Sequence, residues 1–226
     1  MAANTPSLTE ACERYGTDKG KRVHNYCQFY EKQFHGTNPK EILEIGIGNT
    51  AATGSGRSLQ MWSSAYPAAN VLGLDIEEKV VNRDYNLPEL SGRINTKIAD
   101  QTDGASLKRA AGHKNYDLIL DDGLHQVSAQ FNTLHSLWDH VKPCGKYVVE
   151  DLQSSFRPAA EAGADVKPTI VDVLSNPSMN SSPLLPEWDR MRKEIDHIDF
   201  YEGPAGKEKS YTAVIHKSCS ISRAHH

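Results

Sequence analysis

Two strand-like runs of the chain each end in carboxylates. The first, Leu118-Ile-Leu-Asp-Asp-Gly-Leu-His125, passes from an apolar stretch into Asp121, Asp122 and His125. The second, Tyr147-Val-Val-Glu-Asp151, closes on Glu150 and Asp151. A helix-like segment separates them, which is the spacing of a parallel β-α-β unit. Such a unit brings both acidic tips to the same carboxyl edge of one sheet, where α/β folds bind ligands. Carboxylates and a histidine gathered there can hold a divalent cation beside a general base. Adjacent carboxylates ending a buried strand repel unless something cationic compensates them, so Glu150-Asp151 is the stronger signal. Asp121-Asp122-Gly123 also fits a plain turn in which Asp122 caps the next helix, and His125 fits a solvated residue at that helix start.

A second constellation lies upstream. Glu41-Ile-Leu-Glu-Ile-Gly-Ile-Gly48 is a strand that breaks into a glycine turn, and glycines let a backbone pass close to a ligand where a Cβ would collide. Asp75 closes the next strand, Val71-Leu-Gly-Leu-Asp-Ile76, where an acidic residue can bind a ribose. Gly46, Gly48 and Ala51 also satisfy the G-x-G-x-x-A of a nicotinamide dinucleotide site, and a tight turn with no ligand is a third reading. Glu44 tilts the choice. Negative charge beside a pyrophosphate is unfavourable, whereas a carboxylate suits the amino-acid portion of zwitterionic S-adenosylmethionine. A third strand ends Ile98-Ala-Asp-Gln101, offering Asp100 and Gln101 to an adenine ring.

The elements that must position these residues alternate along the chain. Strands are expected at Glu41–Ile45, Asn70–Ile76, Ile94–Ala99, Tyr116–Asp122 and Lys146–Asp151, and helices at Ser58–Tyr66, Ala105–Ala111 and Val127–Val141. This rhythm predicts an α/β fold, a parallel sheet covered on both faces with right-handed crossovers. From Leu152 to Pro186 the chain is rich in Ser, Pro, Ala and Asn, with one short apolar turn at Ile170–Leu174. It reads as a long active-site flap rather than a core element. A helix at Glu187–Ile195 and strands at Ile198–Glu202 and Tyr211–His216 follow. The two strands, joined by Gly203-Pro-Ala-Gly-Lys-Glu-Lys209, predict an antiparallel hairpin at the sheet edge.

Carboxylates at successive strand ends, followed by that hairpin, resemble a class I S-adenosylmethionine-dependent methyltransferase. The resemblance implies a Rossmann-like, mostly parallel seven-stranded sheet in a single domain. Residues 1–40 would form an N-terminal cover segment and residues 152–186 the flap. It narrows with Tyr15-Gly-Thr-Asp-Lys-Gly20, His24, Tyr26, Tyr30, Glu31, Ser58-Leu-Gln-Met-Trp62, Ala99-Asp-Gln101, Leu120-Asp-Asp-Gly-Leu-His125, Leu137-Trp138, Val141-Lys-Pro143 and Val148-Val-Glu-Asp-Leu152. This set is similar to the metal-dependent sugar O-methyltransferases of macrolide and tetracenomycin-type natural products, over most of residues 15–152 and more loosely over the hairpin. The resemblance implies that Asp122, Glu150 and Asp151 bind Mg2+ and that His125 is the base. It also implies contacts to S-adenosylmethionine from Tyr15, Thr17, Glu44, Gly46, Gly48, Ser58, Asp75, Asp100, Gln101 and Asp121. The acceptor would be a small molecule with a hydroxyl or diol, activated by the metal and deprotonated by His125. A methyltransferase-fold enzyme that catalyses cyclisation or dehydration is the alternative. Leu124 stands where that family usually has serine and predicts a more apolar pocket wall, and Pro143-Cys-Gly145 replaces a Pro-Gly-Gly turn. The large N-terminal domain of some macrolide enzymes has no counterpart in this chain.

Composition bounds these readings. With 226 residues the chain is long enough for one α/β domain and short for two. A net charge of −4 provides no polybasic field for nucleic acid or a membrane surface. The longest apolar runs are strand-sized, which predicts no transmembrane helix, and the N-terminus has no signal-peptide pattern. Cys12, Cys27, Cys144 and Cys219 lie far apart with no C-x-x-C, which predicts reduced thiols and a cytoplasmic location. Self-association is left open.

Overall fold

The computed structural model describes residues 5–48, 54–157, 165–176, 185, 187–203 and 210–220. In chain order its elements are α1 (Leu8–Tyr15), α2 (Tyr26–Gln33), β1 (Glu41–Ile45), α3 (Arg57–Ala65), β2 (Asn70–Asp75), α4 (Glu78–Val81), β3 (Ile94–Ile98), α5 (Gly104–Ala111), β4 (Tyr116–Asp121), α6 (Val127–Leu137), β5 (Val141–Val149), α7 (Ile170–Ser175), α8 (Trp188–Met191), β6 (Ile195–Glu202) and β7 (Tyr211–Lys217). The seven strands form one sheet in the order β3-β2-β1-β4-β5-β7-β6. β1 to β5 are parallel, while β7 runs antiparallel to β5 and β6 antiparallel to β7. The order reverses between β1 and β4, so the crevice of a doubly wound sheet opens beside Gly46 and Asp121.

The central strands are buried on both faces, as their near-continuous apolar sequences require. Successive residues point to opposite sides, and β1 shows the result. Leu43 and Ile45 enter one core with Phe131, Leu134 and Leu137 of α6, whereas Ile42 joins Tyr26, Tyr30 and Trp62 in the other. α1 begins with a capping box, Ser7 accepting from the Glu10 N–H and Glu10 from the Ser7 N–H, and ends at left-handed Gly16. α6 presents Val127, Phe131 and Leu134 inward at helical spacing and stops at Leu137. A single 3-10 turn, Trp138–His140, follows and leads directly into β5.

Several elements depart from expectation. β5 starts at Val141, five residues early, and carries Pro143 and left-handed Cys144 within it. β6 starts at Ile195, so the expected helix Glu187–Ile195 contracts to α8 and a 3-10 turn. The segment expected to be a flap contains a core helix. Thr169 and Asp172 cap α7 reciprocally, and Ile170, Val171, Val173 and Leu174 are buried in the α6-side core. Residues 158–164, 177–184 and 186 of that segment, and the hairpin connection 204–209, lie outside the described residues.

The cysteines are a correction. Cys12 is bonded to Cys27 and Cys144 to Cys219, and no described cysteine is free. Their separations of 15 and 75 residues conceal the pairing, which arises where α1 meets α2 and where the start of β5 meets the end of β7. The expectation of a reducing compartment loses the support it drew from free thiols. Among the described residues no helix is long and apolar enough to cross a membrane.

Asp117, in β4, fastens the entry of β1. Its Oδ2 accepts the N–H groups of Lys40 and Glu41 at 2.8 and 2.9 Å and the Lys142 ammonium at 3.0 Å. Partial burial works against ionisation, but these donors outweigh it and hold the carboxyl below its ordinary range. A depressed folded-state pKa contributes stability that is present above the unfolded value near 4 and lost as pH falls through the folded one. Asp117→Asn is therefore expected to lower unfolding free energy by about 1–2 kcal/mol at pH 7, with the deficit shrinking below pH ~4. Urea unfolding at the two pH values checks this.

Candidate active site

Beyond the carboxyl ends of β1, β2, β3, β4 and β5 lies a cleft of about 1260 Å³. Typical small-molecule pockets hold roughly 300–1,000 Å³, so there is room for a nucleoside-sized ligand and a second molecule. One wall is the segment between α1 and α2, with Gly16, Thr17, Asp18, Arg22 and Val23. Asp75, Ile76, Asp100 and Gln101 line one flank, and Asp122, Leu124, His125 and Asp151 the other.

The glycine turn is built as much for the protein as for a ligand. Gly46 has φ of 79°, and a Cβ there would overlap the Asp122 carbonyl. Gly48 has φ of 122°, and a Cβ there would collide with Ser55. Gly46 therefore lets the β1 and β4 ends pass each other at the switch point, and Gly48 lets the turn close on the segment before α3. Asp75 locks the same turn, accepting the Ile47 N–H at 3.0 Å and the Glu77 N–H at 2.9 Å. Ala51 falls outside the described residues.

The acidic strand ends fall into two layers around a residue absent from the expected site, Lys19. Its side chain is fully buried, with Nζ 2.5 Å from Asp122 Oδ2, 2.8 Å from Glu150 Oε2 and 3.5 Å from Glu44 Oε1. Burial alone would strip its proton, but Asp122, Glu150 and Glu44 hold it on, well above the ordinary lysine value. α2 supplies the rest of the inner layer. Tyr26 and Tyr30 sit one turn apart on one helix face. The Tyr30 hydroxyl donates to Glu150 Oε1 and the Tyr26 hydroxyl to Asp151 Oδ1, both at 2.8 Å.

The outer layer faces the cleft. His125 Nε2 lies 3.3 Å from Asp151 Oδ2, and one donor atom from each of Asp122, His125 and Asp151 lies within 4.8 Å of the others. Asp151 reaches this position from left-handed backbone at φ 54°, which a short polar side chain tolerates. Burial opposes its ionisation, yet His125, His24 and Tyr26 hold its carboxyl below the ordinary range. Asp122 is pushed up by burial against the pull of Lys19, and Glu150 is pushed well up by burial and by Asp122. Three carboxylates thus face one ammonium, and Asp151 adds a fourth beside them. That surplus of negative charge fits a divalent cation and a sulfonium ligand, and the cleft-facing oxygen donors of Asp122 and Asp151 fit Mg2+.

The expected residues sort accordingly. Gly46, Gly48, Ser58, Thr17, Asp75, Asp100 and Gln101 line the cleft. The Gln101 amide, however, is turned inward: it donates to Asp121 at 2.6 Å and Thr133 at 2.8 Å and accepts the Leu124 N–H at 2.5 Å. Asp100 closes a local turn on Thr102. Glu44 is fully buried, accepts the Trp62 indole N–H at 3.1 Å and is pushed up to about 7 by burial against Lys19. Asp121 is also buried and pushed up to about 8, principally by burial, with Oδ2 unpartnered among the described residues. Neither Glu44, Asp121 nor Tyr15 is among the cleft-lining residues. Glu150, expected among the metal ligands, stands apart from the cleft-facing trio. Both its oxygens are engaged from inside by Lys19 and Tyr30, while His125 lies close to Asp122 and Asp151. α6 has Gln126 before it and no side-chain cap, so the Asp122 turn is not a helix cap. Lys19, Tyr26 and Tyr30 were legible only as motif members. The clue was an unexplained lysine followed by Tyr-x-x-x-Tyr upstream of three unpaired carboxylates.

No family model matches the chain. It is 34% identical over 174 residues to a demethylmacrocin O-methyltransferase of Streptomyces fradiae, covering 75% of this chain and 42% of the relative. It is also 34% identical over 164 residues to a mycinamicin VI 2''-O-methyltransferase of Micromonospora griseorubida, covering 71% and 39%. The chain therefore spans less than half the length of these relatives. Among solved structures, the MycE methyltransferase of the mycinamycin pathway, in complex with Mg and SAH, superposes with a TM-score of 0.73 at 26% identity, over 95% of this chain and 55% of that one.

Removing the buried cation should be costly. Lys19→Met leaves Glu44 and Glu150 without their counter-charge, and breaking a buried ion pair from one side costs about 3–5 kcal/mol. Chemical denaturation should register a loss of that order, and an unchanged midpoint would refute the compensating role. The likeness supports the S-adenosylmethionine reading of the Gly46–Gly48 turn over the dinucleotide one: the chain has a class I methyltransferase fold, and its homologues are sugar O-methyltransferases of macrolide and tetracenomycin pathways.

Proposed function

We propose that the chain is an S-adenosylmethionine- and magnesium-dependent O-methyltransferase acting on a hydroxyl of a small glycoside or polyketide. The observation that carries the reading is the convergence of Asp122, His125 and Asp151 on one side of a cleft whose other flank is the Gly46–Asp75 turn. One structural relative was solved with Mg, SAH and mycinamycin VI, which supports a macrolide glycoside as a first probe acceptor.

Asp122 and Asp151 would hold the metal. When bound, Mg2+ lowers the pKa of an acceptor hydroxyl, and S-adenosylmethionine presents an electrophilic methyl group. The remaining work falls to the chain. His125, about two-fifths exposed to the cleft, takes the hydroxyl proton at Nε2 and passes it to solvent. Asp151, ionised and fixed through Tyr26, orients the imidazole and stabilises the imidazolium. Lys19 pins Asp122 from behind. Residues 16–23 wall the cleft on the α1–α2 side, against which oxygen, methyl carbon and sulfur would be aligned. Leu124, 45% exposed beside His125, gives the acceptor an apolar surface to lie against.

Methyl transfer from labelled S-adenosylmethionine to demethylmacrocin or mycinamicin VI, with and without chelator, tests the reading. His125→Ala should lower kcat by about 10²–10⁴-fold while calorimetric affinity for S-adenosylmethionine stays within a few-fold of the parent. No cofactor heat in calorimetry sinks the methyltransferase assignment. Transfer that is indifferent to chelator removes the metal.

A further inference from the structure

On the terminal hairpin, away from the cleft, two histidines and an aspartate converge. β6 and β7 pair Ile195 with Lys217 but His197 with His216, so one residue is bulged out of β6. Such a bulge re-aims the side chains that follow it. Here it places His197 directly across from His216, and Asp199, two residues further along β6, on the same face as His197. His197 Nε2 and His216 Nε2 each lie 3.3 Å from Asp199 Oδ2, and the two rings stack with centroids 3.9 Å apart. A tetrahedral zinc with bonds of about 2.0–2.1 Å has ligand–ligand edges of about 3.3 Å, so both imidazoles already stand at coordination spacing from the carboxylate, and a turn of the stacked rings about their Cβ–Cγ bonds would aim both lone pairs at one ion.

The surroundings fit a metal better than a plain ion pair. Asp196 Oδ2 lies 2.7 Å from His197 Nδ1, the outer carboxylate that fixes a ligating imidazole. Gln33 Oε1, at the end of α2, lies 3.1 Å from His216 Nε2, an oxygen available to a fourth position that water would otherwise fill. Lys146 faces His216 from the neighbouring strand β5, with the Asp199 carboxylate on the hairpin side. His197 is half exposed, which gives an ion a path in. The site is separate from the cleft: His216 pairs with Lys146, four residues before Glu150, or about 13 Å along the strand.

We propose that His197, His216 and Asp199 form a binding site for one late first-row transition-metal ion of the zinc class, bridging β6 and β7. Imidazole donors select such ions over magnesium, so the two sites would sort their metals by ligand type.

The test is zinc titration of the metal-stripped full chain in excess Mg2+, followed by calorimetry, with Co2+ absorption as the report on geometry. The parent and an Asp122→Ala/Asp151→Ala variant should each bind zinc at the hairpin and give the tetrahedral cobalt bands. His197→Ala/His216→Ala should lose those bands and bind roughly tenfold or more weakly. Asp199→Asn, which keeps both imidazoles, should weaken binding while leaving the circular dichroism unchanged, so a folding defect is told apart from a lost ligand. His225 and His226 are present in every variant and cancel in the comparison. Equal zinc affinity and equal cobalt bands in the parent and the double-histidine variant would overturn the site.

Discussion

The site depends on a single buried cation. Lys19 is the ammonium at the centre of Glu44, Asp122 and Glu150, residues drawn from the ends of β1, β4 and β5. Three carboxylates driven together by strand register cannot all ionise in a low-dielectric interior without an opposite charge. The lysine comes from a loop outside the sheet, so the N-terminal segment is more than a lid. It completes the charge balance of the strand ends and cannot be lifted away without exposing an uncompensated acidic cluster.

That dependence explains how the N-terminal region is braced. Cys12 in α1 and Cys27 in α2 flank the Lys19 loop and are joined by a disulfide. Closing a loop of this length removes conformational freedom from the unfolded chain. It also holds α2 in the register at which Tyr26 and Tyr30 meet Asp151 and Glu150. Arg57, at the start of α3, donates to the Gly16 carbonyl at 3.0 Å and ties the same loop to the glycine turn. The two flanks of the cleft therefore share one scaffold, in which a shift of the loop would be felt by both.

The sheet was legible because its signals are local. Near-continuous apolar runs ending in Gly or Asp mark the parallel strands, and two alternating runs mark the hairpin. The acidic tips were legible as well, since strand topology alone carries them to one edge. What each carboxylate faces is a different matter. Glu150 and Asp151 are adjacent in sequence, but alternation along the strand sends one inward to Lys19 and Tyr30 and leaves the other facing the cleft beside His125. No spacing rule says which carboxylate a distant lysine will claim. The same limit hid the disulfides, which join positions 15 and 75 residues apart, and the core role of α7, whose six residues are too few for a helical period to stand out.

Division of labour between the two layers follows from these partners. Glu44 and Glu150 are turned inward towards Lys19, Trp62 and Tyr30, and neither lines the cleft. Asp122 and Asp151 are each held from behind on one side, by Lys19 and Tyr26, and open on the other. A carboxylate secured in this way cannot swing to meet a ligand, so its open oxygen is preorganised where charge is needed. The inner layer thus keeps the strand ends together without drawing on the groups that must meet a ligand. His125 then stands against a fixed anion, an arrangement that would stabilise a proton on its imidazole without reorganising the surroundings.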